Sequence, residues 1–257
     1  MRIVVLLSAG RHRVSGQPAP VPVELQAIRL AVDIAGAGGE VTALHAGPEL
    51  GPLADALGHG VGRLDHRVIA SGDDPLPSLV AALADAPPDL ILTGRSGQGG
   101  EDAGLLPYAL ARALGRPILA DAAGLGMGMG PEAGTLIVEQ ALPRGARRRV
   151  VLRLPALLTV HPAAPAPLPF AFAARRRGVI ATAPGVPAPQ APEVEERPYR
   201  PRPKLIAKAA AGASAAERLK AATQAAGGGG KLLVNPAPDE AAREILAHLA
   251  SLGLRRG

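Results

Sequence analysis

The sequence contains no cysteine and no tryptophan. Without cysteine the chain has no disulfide, no thiolate metal site, no iron–sulfur ligation and no cysteine nucleophile. This fits a reducing compartment. Aromatic residues are only 2% of the chain, which leaves few platforms for stacked bases and disfavours a single-strand nucleic-acid binder. No apolar run approaches the roughly 18 residues of a membrane span. The opening MRIVVLLSAG is too short and too lightly charged for a signal peptide and reads as a first strand. The expectation is a cytoplasmic protein with no membrane insertion.

Catalytic signatures are equally scarce. His12, His45, His59, His66, His161 and His248 show no metal-ligand spacing. Ser8, Ser71, Ser78 and Ser96 lack the setting of a nucleophile elbow. The first strand ends in Ser8–Ala9–Gly10, so the G-x-G-x-x-G dinucleotide fingerprint is missing. These absences point to a binder of something redox-active or nucleotide-like, not an enzyme acting on its own.

What is present is a core-forming α/β pattern. Hydrophobic residues are 47% of the 257, and the core must be built from Ala, Val, Leu and Ile. Residues 2–8 form a continuous apolar run, as in a strand buried on both faces. Residues 23–36 carry apolar side chains at helical spacing and stop at Gly38–Gly39. Strands are predicted at 40–46, 67–71 and 89–93, with a short helix over 51–58. Helices are predicted over 76–85, begun by the Asp73–Asp74–Pro75 cap signal, and over 103–114. Such alternation specifies a three-layer αβα domain with a mostly parallel, Rossmann-like sheet. Residues 135–141 and 148–154 read as an antiparallel hairpin, and 156–160 as a further core strand.

Beyond His161, repeated prolines exclude regular helix or central strand. An Ala-rich helix over 206–226, a short strand over 231–234 and a helix over 238–252 follow. The expected division is an α/β domain over 1–184 and an arm with helices over 185–257 that packs on a partner; residues 162–230 read either as a disordered linker or as an extended arm that orders against another subunit.

The net charge is +6. Arg144, Arg147, Arg148, Arg149 and Arg153 form one cluster, Arg175–Arg177 a second, and Arg197, Arg200, Arg202 and Lys204 a third. No nucleic-acid-binding motif accompanies them, so a solvated surface or docking on an acidic protein is the better reading. The most specific local feature is Gly94–Arg95–Ser96–Gly97–Gln98–Gly99–Gly100–Glu101–Asp102. A Gly-rich turn opening a helix, at the carboxyl end of a strand, suits an anion such as a nucleotide phosphate. It lacks the Walker lysine, which argues against ATP hydrolysis.

In this order the segments resemble the beta subunits of electron-transfer flavoproteins. The resemblance rests on QPAPVPVELQAIRL (17–30), VTALHAGP (41–48), LILTGRSGQ (90–98), LPALLT (154–159) and LPFAFAARRR (168–177). It covers about residues 1–180. It implies a heterodimer with an alpha subunit that holds most of a redox-active FAD, and a structural AMP in this chain. Leu7, Ser8, Ala9, Gln17, Ala46, Gly94, Ser96, Gly97, Gln98, Gly99, Gly100, Glu101 and Asp102 are its implied nucleotide-binding positions. It also implies electron donors among flavin-dependent dehydrogenases, docked by Leu168, Pro169 and Arg176, and a quinone oxidoreductase as acceptor. A bifurcating type with a second FAD is the variant reading. A free-standing, universal-stress-like adenine-nucleotide binder is the alternative from another class, and a nucleotide-dependent ligase or hydrolase is a third.

Overall fold

The computed structural model describes residues 1–12, 14–95, 104–188, 214 and 233–251. Two units divide the chain, Met1–Val194 and Glu195–Gly257.

The first unit is built on a nine-stranded sheet. Strand β1 spans Arg2–Leu6. A small ribbon of β2 (Gly10–Arg11) and β3 (Pro18–Ala19) follows. A side chain at Gly10 would lie 2.6 Å from the Ala19 carbonyl oxygen, so only glycine lets the ribbon close. Helix α1 covers Pro22–Ala35 with proline in its first turn, where a missing N–H costs nothing. It stops at Gly36, whose φ of 58° suits only glycine among common residues. Strand β4 (Glu40–Gly47), a 3-10 segment over Gly51–His59 and strand β5 (Arg63–Val68) continue the unit. Then come α2 (Leu76–Asp85), β6 (Leu90–Gly94) and α3 (Leu106–Ala113). Four strands follow in sequence: β7 (Ile118–Met127), β8 (Thr135–Ala141), β9 (Arg147–Arg153) and β10 (Ala156–Val160). A short helix α4 (Phe172–Arg177) and strand β11 (Val179–Pro184) end the described part of this unit.

The strand order is β11-β5-β4-β1-β6-β10-β7-β8-β9. Pairing is parallel throughout except for β7–β8 and β8–β9. The alternation of side chains across each strand builds two apolar layers. Ile3 and Val5 face α1, with Leu90, Leu92 and Leu158 beside them. Val4, Ile91 and Leu157 stand in register on the other face, under Leu79 and Leu83 of α2 and Leu110 of α3. This is the three-layer αβα arrangement that the alternating pattern predicts.

The hairpin of β8 and β9 is antiparallel, as expected. Its outer strand carries Arg147, Arg148, Arg149 and Arg153, a charged edge that resists pairing with another chain. Several of these charges are tied down. Arg148 donates to Gln140 at 3.0 Å and Arg149 pairs with Glu132.

Four expectations need correction. The third strand is Arg63–Val68, not 67–71, because its buried face alternates through Leu64 and His66 instead of running with Ile69. Strand β7 has no counterpart in the sequence reading. Its Ala- and Gly-rich ILADAAGLGM has low strand propensity, and its pairing is imposed by β10 and β8 on either side. The register shifts toward β10 between Leu119 and Ala122, around Asp121, whose φ is 62° and whose N–H donates to Thr159 Oγ1 at 3.0 Å, and toward β8 between Ala122 and Gly124. The proline-rich stretch does hold regular structure: α4, and β11 as an edge strand, where proline is tolerated. Leu233 and Val234 are not strand.

In the second unit, helix α5 covers Pro238–Ser251, with Asp239 and Glu240 in its first turn. The Ala-rich helix expected over 206–226 lies outside the described residues, apart from Ser214.

Leu157 is fully buried at the centre of the sheet. Leu157→Ala is expected to lower the unfolding free energy by about 2–5 kcal/mol, read from denaturant midpoints.

Candidate functional site

Chain direction selects the place where this sheet can hold a ligand. From β1 the chain passes through α1 to β4 and on to β5, moving outward on one side. From β5 it returns through α2 to β6, on the other side of β1. The crossovers therefore diverge between β1 and β6, and a crevice opens at the carboxyl ends of these strands. A cleft of about 380 Å³ lies there. Leu6–Ala9 after β1, Ala46–Pro48 from β4 and Ile69–Asp73 after β5 form three of its walls. Thr93 and Gly94 of β6, with Leu106 and Pro107 at the start of α3, complete it.

One corner is fixed by a buried carboxylate. Glu24, in the first turn of α1, is 4% exposed. It accepts the Ser8 N–H at 2.8 Å through Oε2 and the Ser8 hydroxyl through Oε1. The amino end of a helix is a favourable place for a negative charge. Gly94 lets this corner close. A Cβ there would stand 3.1 Å from Glu24 Cγ and 3.2 Å from Val23 Cγ1. Close helix–strand packing thus gives Gly94 a reason of its own, besides any approach to a phosphate.

A second corner holds two stacked imidazoles. His45 and His66 are both buried, with ring centroids 5.4 Å apart and planes inclined by 21°. His45 Nδ1 lies 2.9 Å from the Leu7 carbonyl oxygen. His66 Nε2 lies 2.9 Å from the Gly47 carbonyl oxygen. A carbonyl only accepts, so each of these nitrogens carries the proton. His45 Nε2 is buried and makes no hydrogen bond among the described residues. Burial pulls the His45 pKa below the ordinary histidine value. Its bond to Leu7 opposes that pull, the neighbouring His66 adds to it, and the Glu49 backbone opposes it more weakly.

Of the positions singled out in the sequence, Leu7, Ser8, Ala9, Ala46 and Gly94 come together on this cleft. Gln17 does not line it. It is exposed in the turn between β2 and β3, where its carbonyl accepts the His12 N–H at 2.7 Å. Ser96, Gly97, Gln98, Gly99, Gly100, Glu101 and Asp102 lie outside the described residues. Arg95, just before them, is exposed, and its Nε lies 3.6 Å from Asp121 Oδ1. Glu24 and His45 were not singled out. A histidine inside an otherwise apolar strand was the available signal for the second.

Leu168 is half-buried over Gly60, with its carbonyl oxygen 2.7 Å from His59 Nδ1. Pro169 and Arg176 are exposed. Phe170 and Phe172 are 47% and 63% exposed beside them, so the apolar surface of this loop is aromatic more than aliphatic. Among the described residues no group of three or more acidic or histidine side chains could hold a metal ion. No helix among them is long and apolar enough to cross a membrane.

A mostly parallel sheet with an apolar cleft at its switch point is an α/β architecture of the kind that commonly holds small ligands. Comparison with known proteins supplies the family. The family model described as the electron transfer flavoprotein domain matches residues 10–198. The electron transfer flavoprotein subunit beta of Chromohalobacter salexigens is 38% identical over 264 residues, covering 97% of this chain and 94% of that protein. The chain belongs to the electron transfer flavoprotein family, among its beta subunits. This is a family of electron carriers that work with flavin.

The His45 environment makes a pH prediction. Below pH 6.5 an imidazole in the unfolded chain takes up a proton, whereas the buried His45 resists doing so. The unfolded state then binds more protons, so stability is retained above the ordinary value and lost as pH falls through it. Urea midpoints between pH 7 and pH 5 should fall more steeply for the wild type than for His45→Asn, by up to about 1.4 kcal/mol per pH unit. Equal slopes would contradict the assignment.

Proposed function

We propose that this chain is the nucleotide-holding partner of an electron-transfer flavoprotein alpha subunit, with AMP bound structurally in the cleft at the ends of β1, β4, β5 and β6. The redox-active FAD belongs mainly to the alpha subunit. The heterodimer, in the cytoplasm, accepts electrons from flavin-dependent dehydrogenases and passes them to a quinone oxidoreductase. The chain itself is not an enzyme.

The observation that carries this reading is the cleft. Its volume, its mainly apolar walls and its switch-point position suit the nucleoside of an adenine nucleotide. Leu7, Ser8, Ala9, Ala46 and Gly94 are its proposed contacts. The Glu24 carboxylate at the β1 corner is unfavourable to a phosphate, so the anionic end is directed away from it, toward Arg95. Gln17 has no part in this pocket as proposed.

Two surfaces support the partner role. Leu168, Pro169 and Arg176 form the proposed dehydrogenase contact, joined by exposed Phe170 and Phe172. Small aromatic anchors ringed by arginine make a short-lived contact of this kind plausible in energy. In the C-terminal unit, Ile245, Leu246 and Leu249 are the exposed large apolar residues of α5. They are the proposed seat of the arm on the alpha subunit.

Co-expression with the alpha subunit and extraction of nucleotides from the purified complex tests the proposal. One AMP and one FAD per heterodimer is expected. Two FAD would move the chain to the bifurcating type, and failure to associate with the alpha subunit would overturn the reading.

A further inference from the structure

The wall of the cleft at Ile69–Asp73 lies beyond the end of β5, which stops at Val68. Its link back to β4 is long, with the Ile69 N–H donating to the Gly47 carbonyl at 3.4 Å. Other donors turn inward on the segment itself. The Asp73 N–H goes to the Ala70 carbonyl at 3.2 Å, and the Leu76 N–H to the Asp74 carboxylate at 2.9 Å. A segment that has left the sheet and bonds mostly to itself opens easily unless something else holds it.

The support comes from residues 184–188, a strap that follows β11. The Gly185 N–H donates to the Val68 carbonyl at 2.8 Å, and the Asp74 N–H to the Ala188 carbonyl at 2.8 Å. Between these two bonds stands Ser78, in the first turn of α2 and 2% exposed. Its Oγ accepts the Val186 N–H at 2.8 Å, from 108 residues away, and its hydroxyl returns a longer bond of 3.4 Å to the Val186 carbonyl. A hydroxyl buried on an otherwise apolar helix face requires such a partner. Gly185 lets the strap lie close. A Cβ there would stand 2.4 Å from Ile69 Cγ2 and 2.7 Å from Ser78 Oγ. Ile69 therefore touches the strap and also lines the cleft, as does Leu79, the neighbour of Ser78.

We propose that Ser78 is a positioning residue of the nucleotide cleft: by holding the strap at 184–188 it fixes the Ile69–Asp73 wall, so that strap docking and nucleotide binding favour each other. This rests on the reading of the cleft as an adenine-nucleotide site. Ser78 itself does not line the cleft. It acts through the strap, on a wall that takes its binding shape only while the strap is docked. The affinity then falls with the docked fraction. By linkage, a nucleotide that needs the strap docked also keeps it docked.

The test uses the full chain, freed of nucleotide, with AMP as the probe in calorimetric titrations. Ser78→Ala removes the hydroxyl, and Gly185→Ala pushes the strap away from the other side of the same contact. Each should weaken AMP by about tenfold, the loss expected when the docked wall falls to about a tenth of the population. A residue serving the fold alone would lower the urea midpoint and leave the affinity of the folded protein for AMP unchanged. A second readout needs no variant. In the wild type, AMP should slow hydrogen exchange at the Val186 and Asp74 amides at least about threefold more than at amides of the β8–β9 hairpin. Unchanged affinity in either variant, or strap amides that respond to AMP no more than the hairpin does, would each overturn the inference while leaving the AMP site standing. A wild type that binds no AMP would overturn both.

Discussion

The central strands of this sheet are covered on both faces, and that constraint shapes the rest of the molecule. Strands β1, β6 and β10 have no solvent side. Ile3, Val5, Leu90, Leu92 and Leu158 fill one layer, and Val4, Ile91 and Leu157 the other. A polar group on such a strand would need a partner in an apolar interior. Polar chemistry is accordingly displaced to the carboxyl ends, where the chain turns and backbone groups become available. Ser8, His45 and Thr93 all stand near those ends, each held by a hydrogen bond. The diverging crossovers then open a cleft at this same rim.

The two buried corners of the cleft show how the sheet and α1 are joined there. Glu24 ties the loop after β1 to the first turn of α1, and the bare Cα of Gly94 allows that turn to approach β6. The His45–His66 stack links β4 to β5 and leans on the carbonyls of Leu7 and Gly47. A wall assembled in this way is rigid before any ligand arrives. Pre-organisation of that kind suits a nucleotide held for structure, because little ordering entropy remains to be lost on binding.

Much of this was legible in the sequence, for physical reasons that differ along the chain. The apolar run at Ile3–Leu7 and the helical spacing from Val23 to Ala35 reported burial directly, and the corresponding elements lie where that spacing puts them. The Pro143–Gly145 turn between two β-branched runs marked the hairpin of β8 and β9. Strand β7 was invisible because its residues are small. Its conformation is set by neighbours far away in sequence and stabilised through Thr159 and Gln140. Ser8, Ala46 and Gly94, which line the cleft, are among the positions that the family resemblance points to. Glu24 and His45 are not, since their roles depend on contacts 16 and 38 residues away. The five family segments gave the family itself, because a resemblance in order survives divergence that blurs single positions.

The chain presents a cleft, an arginine-rich edge on β9 and an exposed aromatic loop next to α4. We propose that the adenine nucleotide sits in the cleft at the switch point. Hydrogen exchange on the full chain, with and without saturating AMP, tests it most directly. Slowed exchange at Leu7–Ala9, Ala46–Pro48 and Ile69–Asp73 is the predicted result. AMP binding that leaves those three segments unchanged and protects other parts of the chain would contradict it.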